Sequence, residues 1–213
     1  MKRFGALGIL VVALGLLSGC ATRDIYASDA EVARRSYSDT ESPAHIVYFT
    51  MLRKSTQSGG HAGLLISGSE AVIYDPAGSF KHAAMPERAD LLFGASPARI
   101  GTYVNFNVRD NYDTVVQYIE VPRAVADLAI ARAKAQGSSA PAFCTQNITE
   151  ILSGVPGFED IPRTFFPTRV MEWMETRPGV ETQKYTQEDH VGRRYDLYAD
   201  NVLIVPVQPG MNN

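Results

Sequence analysis

The sequence is poor in cysteine and in runs of like charge. Its 213 residues include only two cysteines, which excludes a disulfide framework. Lys and Arg total 20 against 23 Asp and Glu, and no basic run supplies the face that a nucleic-acid partner requires. The Gly-x-Ser-x-Gly elbow of serine hydrolases and the phosphate-binding Gly-x-x-x-x-Gly-Lys loop are both missing. With 45% hydrophobic residues, the chain suits one mildly acidic globular domain.

The N-terminus has the pattern of a signal peptide. Basic residues at 2–3 precede an apolar stretch over 4–17, which is shorter than the roughly 20 residues of a membrane-spanning helix. The sequence Leu-Ser-Gly-Cys at 17–20 resembles the lipobox of bacterial lipoproteins. That resemblance implies cleavage before Cys20, acyl chains such as palmitate on Cys20, and a lipid-anchored protein facing the periplasm. Ala21 favours the outer membrane over the inner one.

Composition divides the chain into three parts. Residues 1–19 are the predicted signal peptide, and 20–43 form a polar tether with some helix around 29–35. Residues 44–213 form the domain. Strands are predicted at 45–52, 61–66, 71–75, 113–121 and 200–207, with a hairpin over 61–75, and helices at 123–136, 144–152 and 167–174. Strands followed by helices and a final strand favour an α+β fold around an antiparallel sheet.

Two details of this assignment concern the middle of the chain. A further strand is expected at Thr102–Val108, and residues 80–113 form either a lid or a part of the sheet. In the helix over 123–136, the apolar residues share one face that should be buried: Val125, Leu128, Ala129 and Ala133.

Cys144 is the candidate nucleophile. With Cys20 committed to lipid, Cys144 has no disulfide partner in an oxidising compartment, so it has either a packing role or a chemical one. It begins a predicted helix, where unpaired N–H groups and the helix dipole favour a thiolate. On that helix it shares a face with apolar residues, which directs the sulfur inward.

His61 is the histidine best placed to serve as its base. It begins a strand directly after Gly59-Gly60, and the apolar residues that follow would hold its ring. His190 lies in a charged segment typical of a solvated surface, while His45 and His82 lack this setting. A metal site built from His61, Asp75, His82 and Cys144 matches no known zinc spacing, so no metal and no cofactor is expected.

The order of these residues resembles a known superfamily. A His-x-Gly-apolar strand, a turn, a second strand with a polar end, and much later a cysteine opening a helix are typical of the circularly permuted branch of papain-like, NlpC-type cysteine peptidases and acyltransferases. The resemblance covers roughly residues 45–180. It implies a permuted papain-like fold with an antiparallel sheet packed against helices, one of which carries the cysteine.

The resemblance also implies roles. Cys144 would be the nucleophile and His61 the general base. The group that orients the imidazole would be Asp75, with Tyr74 as the alternative, because a shift of one residue in strand register decides between them. The Cys144 backbone N–H is the simplest oxyanion donor. A second donor stays open among three residues: Gln57, Tyr48 and Asn147.

We therefore expect a thiol protease-like hydrolase that cleaves an amide bond in cell-wall peptide. Lipid amides or esters are the alternative substrates, in which case the enzyme is a thiol acyltransferase or esterase. A non-catalytic envelope module on the same fold is the third possibility. Phe165, Phe166 and Trp173 would line a groove or, more simply, belong to the core. The sequence leaves the oligomeric state open.

Overall fold

A computed structural model describes residues 26–187 of the chain. This part has an α+β architecture with one seven-stranded antiparallel sheet and five helices. The strands are β1 His45–Arg53, β2 Gly59–Ser67, β3 Ala71–Tyr74, β4 Glu87–Arg88, β5 Leu91–Phe93, β6 Tyr112–Glu120 and β7 Glu181–Tyr185. The helices are α1 Asp29–Arg35, α2 Pro97–Asn107, α3 Arg123–Gln136, α4 Cys144–Leu152 and α5 Pro167–Glu175.

The predicted hairpin lies at the middle of the sheet. The strand order is β4-β5-β3-β2-β1-β6-β7, and every paired neighbour is antiparallel. β1 is paired along its whole length with β6, whereas β3 pairs with only residues 64–67 of β2. The antiparallel sheet predicted from the sequence is confirmed.

Each face of the sheet carries its own hydrophobic core. Alternate residues of β1 and β2, including Ile46 and Leu64, pack against α3, α4 and α5 on one face. The intervening residues, including Val47 and Leu65, pack against α2 on the other face. We call these the three-helix face and the α2 face. The near-continuous burial along β1 follows from this double coverage.

The strand predicted at 102–108 is wrong, because α2 covers most of this segment. Ile100, Tyr103, Val104 and Asn107 are buried at the i, i+3, i+4, i+7 spacing of one helical face, which outweighs the β-propensity of the individual residues. Residues 80–113 contribute β4, β5, α2 and the start of β6, so this region extends the sheet and covers one of its faces.

The buried face of α3 also differs from the prediction. Ala126, Ala129, Ile130 and Ala133 are its buried residues, while Leu128 is 40% exposed. Both predicted ends of this helix, at Arg123 and Gln136, are confirmed.

The described part of the predicted tether contacts the domain. The Ala27 N–H donates to the Glu87 carbonyl, and Arg88 forms an ion pair with Asp29 at 2.7 Å. The helix expected around 29–35 is confirmed as α1. Cys20 and the strand predicted at 200–207 lie outside the described residues. Within 26–187, none of the helices has both the length and the apolarity needed to cross a bilayer.

Candidate active site

The candidate site lies where β2 extends beyond the end of β3. β3 stops at Tyr74, so residues 59–63 of β2 have no neighbour on that side of the sheet. α4 lies on the three-helix face, and its first residue, Cys144, reaches this open edge. His61 belongs to the same edge but alternates onto the α2 face, with Leu65. Cys144 and His61 therefore come from opposite faces of the sheet.

Asp75 is the partner of the imidazole. The His61 Nε2 lies 2.8 Å from Asp75 Oδ1, within a short hydrogen bond. Tyr74 points into the three-helix core, so the next residue along the chain, Asp75, is directed to the α2 face where His61 lies. The register question left open by the sequence is thus resolved for Asp75. When the carboxylate oxygen accepts this bond, Nε2 carries the donated proton, so that Nδ1 is the ring nitrogen that Asp75 does not engage.

Cys144 is a free and buried thiol, 8% exposed. Burial raises the pKa of Cys144, whereas the hydrogen bond and the positive charge of His61 lower it. Contacts with the Thr145 hydroxyl and the Ala62 backbone N–H lower the pKa further, so that it lies below the ordinary thiol value. No side chain caps α4, and Cys144 occupies its first turn, where backbone N–H groups have no helical acceptor.

The His61 imidazole is shifted in the complementary direction. Burial lowers the pKa of His61, but the hydrogen bond to Asp75 and the interactions with Cys144 raise it to about 9. A lowered thiol pKa beside a raised imidazole pKa is the condition for a thiolate–imidazolium pair at neutral pH.

Asp75 is held both at its backbone and at its carboxylate. The Asp75 backbone N–H donates to the Asp90 carbonyl at 2.8 Å, and the Asp75 carbonyl accepts from the Gly78 N–H at 2.9 Å. A Cβ at position 78 would lie 1.7 Å from Asp75 Oδ2, so only glycine fits there. The Tyr103 hydroxyl donates to Asp75 Oδ1 at 2.7 Å. Tyr103 was not among the site residues predicted from the sequence, and the helical spacing of the buried residues around it is the signal that could have indicated it.

Tyr74 and Asn147 have other roles. The Tyr74 hydroxyl donates to the Gly137 carbonyl at 3.1 Å, and the Asn147 amide donates to Ser139 Oγ at 2.9 Å. Both bonds position the loop that leads into Cys144. Within residues 26–187, neither Tyr74 nor Asn147 forms a hydrogen bond to the His61 imidazole or to the Cys144 sulfur.

The other two oxyanion candidates each donate to a backbone carbonyl, although Tyr48 lies near Cys144 and Thr145. The Tyr48 hydroxyl is fully buried and donates to the Pro167 carbonyl at 3.2 Å, which ties β1 to the start of α5. The Gln57 amide donates to the Lys54 carbonyl within its own exposed loop at 3.0 Å. The Ala62 N–H, on the open edge of β2, is instead the second backbone donor directed at Cys144.

The remaining histidines are separate from this site. His45 Nδ1 lies 3.0 Å from the Pro43 carbonyl at the opposite end of β1, and His82 Nδ1 accepts from the Ala84 N–H. His190 lies outside the described residues. Over 26–187, no three His, Cys, Asp or Glu side chains are grouped so as to hold a metal ion.

Exposed aromatic residues lie beside Cys144 along the chain and near its loop. Phe143 directly precedes Cys144 and is 40% exposed, and its ring meets that of Phe165 edge-on at a centroid separation of 5.2 Å. Phe165 and Phe166 are 49% and 67% exposed, so these two are not core residues. Trp173 is partly buried and packs beside Phe158 on the three-helix face.

A comparison of the chain with protein-family models, with curated proteins and with solved structures finds no match in any of the three. An inward thiol with a lowered pKa, an imidazole fixed by a buried carboxylate and free backbone donors at a helix start can together perform nucleophilic acyl transfer.

Proposed function

We propose that this chain is a membrane-anchored cysteine hydrolase that cleaves an amide bond, with cell-wall peptide as the substrate. The observation that carries the proposal is the convergence of Cys144, His61 and Asp75 on one open strand edge, with the His61 Nε2 at 2.8 Å from Asp75 Oδ1. The permuted papain-like fold belongs to the same proposal. It is supported by the order of the elements, with the histidine strand preceding the cysteine helix.

The proposed mechanism has two halves. His61 Nδ1 takes the thiol proton, and the Cys144 sulfur forms a bond to the substrate carbonyl carbon. The resulting oxyanion accepts hydrogen bonds from backbone N–H groups at Cys144 and at Ala62. His61 then protonates the amine as its bond to the carbonyl carbon breaks, which leaves a thioester on Cys144. Water, deprotonated by His61, attacks the thioester and releases the acid and the thiol.

The role of Asp75 is to hold the ring and stabilise the imidazolium. A carboxylate on the far nitrogen fixes which nitrogen faces the sulfur and favours the charged ring in both halves of the reaction. Its hydrogen bonds inside the protein make this effect stronger than it would be in water.

The pH dependence of Cys144 alkylation tests the proposal on the unmodified protein. Because the pKa of Cys144 is lowered, we expect iodoacetamide to react with a midpoint well below the value of about 8.5 for a free thiol. The imidazolium partner is retained up to about pH 9 and is lost above it. Rates measured by mass spectrometry between pH 5 and 10 give the profile.

The outcome separates an enzyme from a binding module. A midpoint at the free-thiol value would contradict the paired thiolate and favour the non-catalytic envelope protein. Unfolded chain in denaturant provides the reference for the free thiol, because Cys144 loses its partner there.

The exposed phenylalanines favour a second candidate, a lipid-directed esterase or acyltransferase on the same machinery. Three of the five exposed large hydrophobic residues in the described part of the chain are Phe143, Phe165 and Phe166. An acyl chain lying on these rings would remove apolar surface from water, which is favourable at about 25 cal/mol per Å².

Replacing Phe165 with serine distinguishes the two candidates. If an acyl chain packs on this ring, Phe165→Ser should raise KM for a twelve-carbon ester by about threefold to tenfold and leave kcat nearly unchanged. An acetyl ester should show no such change. Leu128→Ser is the matched control, because Leu128, at 40% exposed, is nearly as exposed as Phe165, at 49%, but lies on α3. If Phe165→Ser leaves KM for the twelve-carbon ester at its wild-type value, the lipid-directed candidate is contradicted.

A further inference from the structure

We propose that Tyr103 is a positioning residue, which holds the Asp75 carboxylate in the orientation that serves His61. This inference rests on the proposed function and adds a fourth side chain to its machinery. It assigns the tyrosine no contact with substrate or with the sulfur.

Two donors meet on one carboxylate oxygen. Tyr103 Oη lies 2.7 Å and His61 Nε2 lies 2.8 Å from Asp75 Oδ1. A carboxylate on a short side chain can rotate about its Cβ–Cγ bond, and one hydrogen bond fixes only one of its contacts. The second bond, from a different element, defines the orientation in which Oδ1 faces the imidazole.

The position of the hydroxyl is itself fixed by packing. Tyr103 is fully buried, and its ring meets Phe49 and Phe80 edge-on, each at a centroid separation of 5.2 Å. The backbone of β2 leaves room for the hydroxyl only because residue 63 is glycine, since a Cβ there would lie 2.3 Å from Tyr103 Oη. The hydroxyl therefore reaches Asp75 through a gap that a side chain would close.

The hydroxyl is a permanent donor. Burial, followed by the charge of Asp75, raises the pKa of Tyr103 well above its usual value, so the phenol keeps its proton throughout the working range. Asp75 Oδ1 then has two donors around it, and its acceptor role toward His61 is preserved as the imidazole gains or loses its second proton.

The conservative variant Tyr103→Phe tests this role, because it removes one oxygen and keeps the ring. We expect the NMR titration midpoint of the His61 ring to fall from about 9 toward its ordinary value, because a less ordered carboxylate stabilises the imidazolium less. Alkylation of Cys144 at pH 7 should slow about tenfold, the equivalent of one hydrogen bond to a charged group.

Tyr74→Phe is the matched control. Tyr74 is likewise a fully buried tyrosine, but it lies on β3, and its hydroxyl bonds to the Gly137 carbonyl on the three-helix face. A comparable loss of stability without movement of the His61 titration is expected there. Equal effects of the two variants on the His61 titration would overturn the inference.

A double-mutant cycle with Asp75→Asn shows whether Tyr103 acts through Asp75. In the Asp75→Asn background, adding Tyr103→Phe should move the His61 titration no further. Additive shifts, or an unchanged titration in Tyr103→Phe alone, would overturn the positioning role. If the titration moves as expected but no hydrolysis depends on Cys144, the inference stands and the proposed function fails.

Discussion

Replacing Cys144 by alanine should reduce hydrolysis by about 10³-fold or more, because the thioester intermediate can no longer form. The residual rate would come only from binding and from the backbone donors at the start of α4. Digestion of purified peptidoglycan by the full-length protein in detergent, followed by chromatography of the released fragments, measures the loss. The melting temperature of the same preparation is the stability control. Replacing the buried cysteine by alanine changes the side-chain volume only slightly, so we expect the variant to stay folded.

Cys20→Ala is the matched control for loss of a sulfur. It removes the other cysteine of the chain but leaves residues 26–187 untouched, so hydrolysis in detergent should be retained. Undiminished fragment release by Cys144→Ala would contradict the proposed function, whatever the behaviour of the remaining site residues.

His61→Ala should have the second largest effect, a loss of about 10²- to 10⁴-fold in kcat/KM. Without the imidazole, the thiol loses the hydrogen bond and the positive charge that lower its pKa, while burial continues to raise it. The alkylation midpoint of Cys144 should therefore move to higher pH. Rates of alkylation and of hydrolysis, measured on the same variant across pH, report the two roles of His61 separately.

His45→Ala provides the comparison for this variant. His45 lies at the opposite end of β1 and contacts the Pro43 carbonyl, so its loss removes an imidazole without altering the Cys144 environment. An alkylation profile in His61→Ala that coincides with that of His45→Ala would show that the thiolate does not depend on His61.

The parts of the fold that the sequence predicts well are those with strong local signals. α3 and α4 begin and end as predicted, because Pro122, Gly137 and the loop before Cys144 interrupt the chain at those points. Short apolar runs of high β-propensity, separated by turn residues, place β1, β2 and β3 correctly, and with them the hairpin that brings His61 near Asp75.

Long-range placement sets the limit. Asp75 and Tyr74 have similar local settings, and only the last pairing of β3 with β2 decides which of them faces His61. Tyr103 was not predicted as a site residue because the β-branched and aromatic residues around it favoured a strand. The helical spacing of the buried residues is the signal that describes this segment.

Exposure is equally hard to derive from residue type. Phe165 and Phe166 are apolar and Leu128 fits the apolar stripe of α3, yet all three are exposed. A folded chain does not have enough polar surface to cover itself, so an apolar side chain alone does not establish a core position.

The open edge of β2 makes the sulfur-to-ring distance depend on two separately packed layers. Cys144 belongs to α4, which packs with α3 and α5 on one face, whereas Asp75, the partner of His61, is bonded by Tyr103 of α2 on the other face. Loosening either layer would therefore change thiol reactivity without altering a site residue. The alkylation rate of Cys144 therefore reports on how well the helices on both faces of the sheet are packed against it.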